Sequence, residues 1–402
     1  MMKRILSFLL VLCLCCAVCT GAFAEAAVPA LQCNADGSFK ILVVADTQDD
    51  NTPQPAMLKL LNAALDSDTY NLVIFLGDQV HGPTVGNNEA KTFAAIDAVV
   101  QPVADRNLPF AVVFGNHDDE GGVSKEAQMA HYQTYAGCLA VEGEEMTGCG
   151  NYALTVTDSK GSDAFCLWFF DSNTYDTTGV SKYDWVHEDQ LAWFNSVSAA
   201  QAAANGGKAL PGYVFQHIQV PEVYTMLQEV PKGTAGAVQG SSAWKNHYYT
   251  LNSATCFAGT LGEGPCPPDY NGGEFAAWQE NGSIVASFFG HDHVNDFAGT
   301  LNGIDLVAVP GSTFYIYGSE TTHGVRTITL HEDNAAQYDT EVLYYQSLVG
   351  EPLPGGVAST LGTYIQSLII GGVCALLAVI AAVCTAMVLL VRHYKKKKAT
   401  VK

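Results

Sequence analysis

The chain has 402 residues, 48% of them hydrophobic and 15% charged, which excludes a disordered polymer and allows one large domain or two ordinary ones. Lys3, Arg4, Arg392, Lys395 to Lys398 and Lys402 are eight of the 19 basic residues, so eleven are left between residues 25 and 363 against all 40 acidic ones. So acidic a body excludes a nucleic-acid polymer as partner, because phosphate backbones need a basic footprint; a small phosphorylated molecule drawn in by bound cations is still allowed.

Lys3 and Arg4, the apolar stretch Ile5 to Cys19 and the Ala22-Phe23-Ala24 cleavage pattern predict a secretory signal peptide over residues 1–24. The body, 25–345, follows. "KILVVAD" (Lys40 to Asp46), "NLVIFLGD" (Asn71 to Asp78) and "LPFAVVFGNHD" (Leu108 to Asp118) read as strands, with helices between them over Gln54 to Ser67 and Asn88 to Arg106. Ala164 to Asp171 and Gly212 to His217 continue the strand pattern around an amphipathic helix, His187 to Ala203. Continuous apolar strands alternating with helices predict βαβ units and a buried sheet, an α/β fold. Residues 232–280, rich in Gly, Ser and Asn, read as a long loop insertion near the site. From Ser283 the chain turns to β: Ser283 to His293, Gly303 to Gly311 and Gly324 to Glu332.

Residues 346–364 read as a linker, and 365–391, with an uncharged run from Leu368 to Val391, as a transmembrane helix. The basic tail 392–402 belongs on the cytoplasmic side, which puts the body outside the cell membrane on a single-pass anchor. Six cysteines fall in that exported body: Cys33, Cys138, Cys149, Cys166, Cys256 and Cys266. An even count there predicts disulfides, with Cys138–Cys149 and Cys256–Cys266 as local loops and the pairing open.

The strand ends carry the chemistry. The first ends in Asp46, the second in Asp78, the third in Asn116, His117 and Asp118, a later one in His217, and the last in Gly290, His291, Asp292 and His293. Taken singly, Asp46 and Asp78 read as helix caps, Asn116 as a turn residue and His217 as a core histidine. Together they are carboxylates, imidazoles and an amide at the ends of successive strands, where open α/β sheets collect ligands.

The order "ADTQ", "GD", "GNHD", a lone histidine and "GHDH" resembles the calcineurin-like metallophosphoesterase superfamily, including the purple acid phosphatases and a Dcr2-related branch of secreted or membrane-linked phosphatases. The resemblance spans Lys40 to Glu341. It implies a four-layer α-β-β-α sandwich with a dinuclear centre at strand C-terminal ends. Two divalent metal ions (Mn, Fe or Zn) would be held by Asp46, Gln48, Asp78, Asn116, His217, His291 and His293. Asp78 would bridge, Asp46 and His293 would hold the first ion, and Asn116, His217 and His291 the second. His117 would stand over the phosphate, oriented by Asp118. The implied activity is hydrolysis of phosphate monoesters by a metal-bridging hydroxide. The alternatives are a phosphodiesterase or nucleotidase, or a surface binding module with a degenerate site.

One departure is Gln48, where the family has histidine; an amide oxygen is a weaker, harder ligand that favours Mn or Fe(II) over zinc. Another is His81, standing where purple acid phosphatases carry their chromophoric tyrosine, so no purple colour is expected and His81 is a second candidate for the missing imidazole. Arg326 is a possible substrate contact, although its surroundings read as a strand.

Overall fold

In the computed structural model, which describes residues 30–318 and 322–354, the first three apolar runs become parallel strands β1 (Ser38–Val44), β2 (Leu72–Leu76) and β3 (Phe110–Val113). Every residue of β2 and β3 is buried, as expected where helices cover a parallel sheet. The connecting helices are Pro55–Leu65, which starts on a proline, and Glu89–Ala104, whose first turn is capped by the Asn88 side chain accepting from Lys91 N. The chain then runs through β4 (Tyr152–Thr157), β5 (Asp163–Phe169), the helix Glu188–Ala204 and β6 (Gly212–Gln216). It continues through β7 (Gln228–Val230), β8 (Val238–Gln239), β9 (Tyr248–Thr250), β10 (Cys256–Ala258) and the helix Glu274–Asn281. It continues with β11 (Ile284–Phe289), β12 (Ala298–Leu301), β13 (Ile304–Ala308), β14 (Gly324–His331) and β15 (Tyr338–Tyr344), followed by a short helix, Tyr345–Val349, at the start of the expected linker.

These strands form two mixed sheets, in the orders β15-β14-β1-β2-β3 and β10-β12-β13-β11-β6-β5-β4. Side chains alternate along β5: Phe165, Leu167 and Phe169 face the first sheet, while Cys166, Trp168 and Phe170 meet Phe194, Phe275 and Trp278 from the helices outside. Met57, Leu60, Ile96 and Val99 cover the far face of the first sheet. The layering is thus helices, sheet, sheet, helices. Rings of Tyr152, Phe169, Phe215 and Phe288 stack across four neighbouring strands at 4.5, 5.4 and 5.3 Å, each pair worth about 0.5–1.5 kcal/mol beyond its burial.

Register brings the chemistry to one edge. Val44 lies opposite Phe75, and Leu76 opposite Val113, so the loops carrying Asp46, Asp78 and Asn116 leave the first sheet side by side. In the second sheet Phe289 lies opposite Gln216, so His217 and the Gly290–His293 loop leave together.

Two expectations need correction. Residues 232–280 are not a plain loop: β8 and β9 join the preceding β7 in a small antiparallel sheet, and Trp244 and Tyr249 pack on Tyr224 at 4.3 and 4.7 Å. The six cysteines of the body are free thiols, and neither Cys138–Cys149 nor Cys256–Cys266 forms. Each of these four thiols instead faces a local acceptor: Ala140 O, the Glu142 carboxylate, Met226 O and Gly264 O in turn. The expected signal peptide, membrane span and basic tail lie outside the described residues. Among the described residues no helix is long and apolar enough to cross a membrane.

Candidate metal centre

The loops after β1, β2 and β11 are bent sharply. Asp46, Gln48, Asp78 and His291 all take left-handed backbone angles, with φ of 51°, 38°, 53° and 72°. Each costs about 1 kcal/mol or more for a residue with a side chain and persists because neighbours hold it. Asp46 N donates to Gly77 O at 3.0 Å, and Gln48 N to Asp78 O at 2.9 Å, tying the first loop to the second. Two glycines make room. A Cβ on Gly77 would fall 2.3 Å from the His217 ring, and one on Gly115 would fall 2.1 Å from Asp78 Oδ1.

Inside these loops the imidazoles are oriented from behind. His217 Nδ1 donates to Leu76 O at 2.9 Å, which leaves Nε2 3.1 Å from Asp78 Oδ2 and 3.8 Å from Asp46 Oδ1. His293 Nδ1 donates to Tyr317 O at 3.0 Å, its ring stacks on Tyr317, and its Nε2 lies 3.4 Å from Asp46 Oδ1. A carbonyl can only accept, so both Nδ1 atoms carry the proton, and in neutral imidazole both Nε2 atoms are lone pairs facing carboxylate oxygens. A proton or a cation must lie between them. His291 stands edge-on to His217 and to Tyr183, at 5.2 and 4.6 Å between ring centres. Ligand atoms of Asp78, His217 and His291 all lie within 4.8 Å of one another.

The charges follow from this geometry. Burial disfavours the His217 cation, but Asp78 and Asp46 outweigh it and raise its pKa to about 10. Burial and the neighbouring His217 hold His291 well below the usual imidazole range. Burial works against the Asp78 charge, yet His217 and His117 hold its carboxyl well below the usual range.

Asn116 Oδ1, both amide atoms of Gln48 and His291 Nε2 are buried without a hydrogen-bond partner, and Asp46 Oδ1, Asp78 Oδ2 and His217 Nε2 face only one another and His293. Each such atom ordinarily costs about 1–3 kcal/mol. Stability gives no reason to gather them at one edge. Carboxylate, imidazole and amide oxygen, with imidazoles held from behind by carbonyls, fit divalent transition-metal ions.

The structure brings Asp46, Gln48, Asp78, Asn116, His217, His291 and His293 to this edge. Gln48 is fully buried. His81 lies beside the mouth: its Nδ1 meets Thr84 Oγ1 at 2.6 Å, its ring lies against Tyr315, and its ring centre is 6.3 Å from that of His117. His117 sits at the mouth, with its backbone N–H donating to Asp78 Oδ1 at 2.8 Å. The expectation that Asp118 orients His117 is overturned. The Asp118 carboxylate accepts from the backbone N–H groups of Gly115, Asp78 and Val80, at 2.7, 2.9 and 3.0 Å, and builds the loops instead. The group that meets His117 Nδ1 is Glu120, at 2.5 Å, and its other oxygen accepts from Tyr175 OH at 2.8 Å. Sequence reasoning missed both; the only hint was a third acidic residue in "GNHDDE". Arg326 is structural, its guanidinium donating to Ala308 O, Asp296 O and Thr340 Oγ1.

The chain is similar to known phosphoesterases in sequence. The family model described as calcineurin-like phosphoesterase matches residues 39–295. A probable inactive purple acid phosphatase 14 of Arabidopsis thaliana is 27% identical over 391 residues, covering 82% of this chain and 90% of that protein. The phosphatase DCR2 of Saccharomyces cerevisiae is 26% identical, covering 66% of this chain and 46% of that protein. Among solved structures, a dimetal phosphatase from Danio rerio aligns over 76% of this chain and 99% of its own, at 14% identity and a TM-score of 0.45. The chain belongs to the calcineurin-like phosphoesterase family.

Proposed function

We propose that this protein is a metal-dependent phosphoesterase that hydrolyses small phosphate monoesters on the outer face of the membrane, its body held there by the apolar segment 365–391. The observation that carries the reading is the convergence of unpartnered buried donors at one sheet edge. In the assignment we favour, Asp46, Gln48 and His293 would hold one ion, Asn116, His217 and His291 would hold the other, and Asp78 would serve both. Two divalent ions bound there would polarise a phosphoryl group and lower the pKa of water. The chain's own part is to orient the donors through Leu76 O and Tyr317 O, to keep the floor of the site dry, and to present His117 at the mouth as a proton donor to the leaving oxygen.

A second reading is a binding module with a degenerate site. It is favoured by Gln48 in place of an imidazole and by the word inactive in the name of the Arabidopsis relative. The two separate in one experiment. The full chain is purified in detergent, its bound Mn, Fe and Zn are quantified, and para-nitrophenyl phosphate and its bis ester are assayed with and without chelator. Close to two ions per chain with chelator-sensitive monoester turnover supports the phosphatase. A preference for the bis ester points to a phosphodiesterase. Fewer ions with no turnover of either ester supports the binding module.

A further inference from the structure

We infer that Glu120, braced by Tyr175, is the positioning residue for His117 in phosphoester cleavage; the inference rests on the phosphatase reading above. His117 differs from the other site imidazoles. The rings of His217 and His293 are held by carbonyls and buried, whereas the His117 side chain is 30% exposed and its Nδ1 is held by a carboxylate. Both Glu120 oxygens are engaged, one by His117 and one by Tyr175 OH. Tyr175 is itself fixed: its hydroxyl accepts from Asn116 Nδ2 at 3.1 Å, its ring stacks on Tyr183 at 5.5 Å, and a backbone bridge joins the same two residues. The main chain of His117 is pinned separately by Asp78 Oδ1. The residue is therefore held by its main chain and by its ring Nδ1, with Nε2 the one ring nitrogen left to meet a substrate.

A carboxylate on Nδ1 fixes the tautomer and stabilises the protonated ring, as in other imidazole–carboxylate pairs of acid–base catalysis. In hydrolysis a water oxygen bonds to phosphorus as the ester P–O bond breaks. The leaving oxygen keeps the bonding pair and takes the proton from His117 Nε2. One water proton stays on the phosphate product; the other goes to solvent, which returns one to Nε2. Neither Asp118, bound to three backbone N–H groups, nor His81, turned to Thr84, is placed to orient the ring. An ordinary surface ion pair would add at most about 1 kcal/mol to stability and would not respond to the leaving group.

The leaving group therefore supplies the test. The metal-loaded full chain in detergent is assayed on para-nitrophenyl phosphate, whose leaving group needs little protonation, and on glycerol phosphate, whose alkoxide needs it. Glu120→Gln should lower kcat about 100-fold on glycerol phosphate but only about tenfold on the nitrophenyl ester, with KM unchanged. Glu120→Asp should restore part of the loss, and Tyr175→Phe should show the same asymmetry more weakly. In the metal-free protein, the His117 Nδ1 proton should give a low-field NMR signal that Glu120→Gln abolishes. Equal losses on both esters, a change in KM alone, or an unaltered His117 signal would overturn the inference. If Glu120→Gln does not fold, Tyr175→Phe decides by the same ratio. A wild-type chain that cleaves no ester sinks the phosphatase reading and this inference together; an active one with no leaving-group asymmetry sinks only the inference.

Discussion

Two buried polar clusters lie close in this fold and are built on opposite terms. Around Lys125 and Asp171 every contact closes. Lys125 Nζ donates to both Asp171 oxygens at 2.9 and 3.0 Å, Cys149 N and Asn173 N donate to the same carboxylate, and Gln190 Nε2 bonds Asn151 Oδ1 and Asp171 O. Burial disfavours the Lys125 cation, but Asp171 outweighs it and raises its pKa. At the sheet edge, Gln48, Asn116 and His291 leave buried atoms open, and Asp46, Asp78 and His217 meet only one another and His293. Burial is the same in both places, so burial does not distinguish structure from function here. Satisfaction does. A closed network specifies packing, whereas an open one has room in its bonding for an ion.

The largest test of that contrast is removal of the shared carboxylate. Asp78→Ala should cut metal-dependent turnover by about 1,000-fold or more. It should also abolish the rise in melting temperature that saturating metal gives the wild type, a gain of about 2.7 kcal/mol at 100 times Kd. Turnover that survives Asp78→Ala would mean that the open donors are not the catalytic centre. Next, Lys125→Met leaves Asp171 buried and unpaired and should cost about 3–5 kcal/mol in urea unfolding, while the metal stoichiometry of the folded chain stays the same. Loss of metal in that variant would break the comparison.

Glu274 is an intermediate case: Gln216 Nε2 donates to one oxygen at 3.3 Å, and the other has no partner. Burial raises its pKa to about 8. A raised carboxyl holds its proton more tightly in the folded state than in the unfolded one. Its contribution is therefore complete below pH 4.5 and lost as pH climbs to about 8, by about 1.4 kcal/mol per pH unit. Glu274→Gln should flatten the stability profile in that window, and an unchanged slope would show that Glu274 is charged and partnered. The smallest effect is expected from reductant. With free thiols at all six body cysteines, dithiothreitol should leave the melting temperature unchanged, and a drop would reveal a disulfide.

Much of this was legible before folding. Apolar runs marked β1, β2, β3, β5, β6 and β11, because strands buried on both faces are built almost wholly from apolar residues. The ligand candidates showed because each sits where such a run stops. Strand β15 was not legible: its residues are half exposed at a sheet edge and its partner β14 supplies the pairing. The two- and three-residue strands of the small sheet are too short to show any period. Asp118 and Glu120 lie two residues apart in one acidic run, and nothing in their spacing says which of them turns toward His117.

By itself, then, the sequence determined that candidate ligand side chains gather at strand ends, since side-chain type and hydrophobic pattern are local properties. Tertiary structure alone decided which atoms of those side chains are open. Whether His217 shows Nε2 or Nδ1 to Asp78 depends on Leu76 O behind it, 141 residues away in the chain. Whether Glu120 or Asp118 serves His117 depends on which carboxylate the backbone N–H groups of two other loops have already claimed.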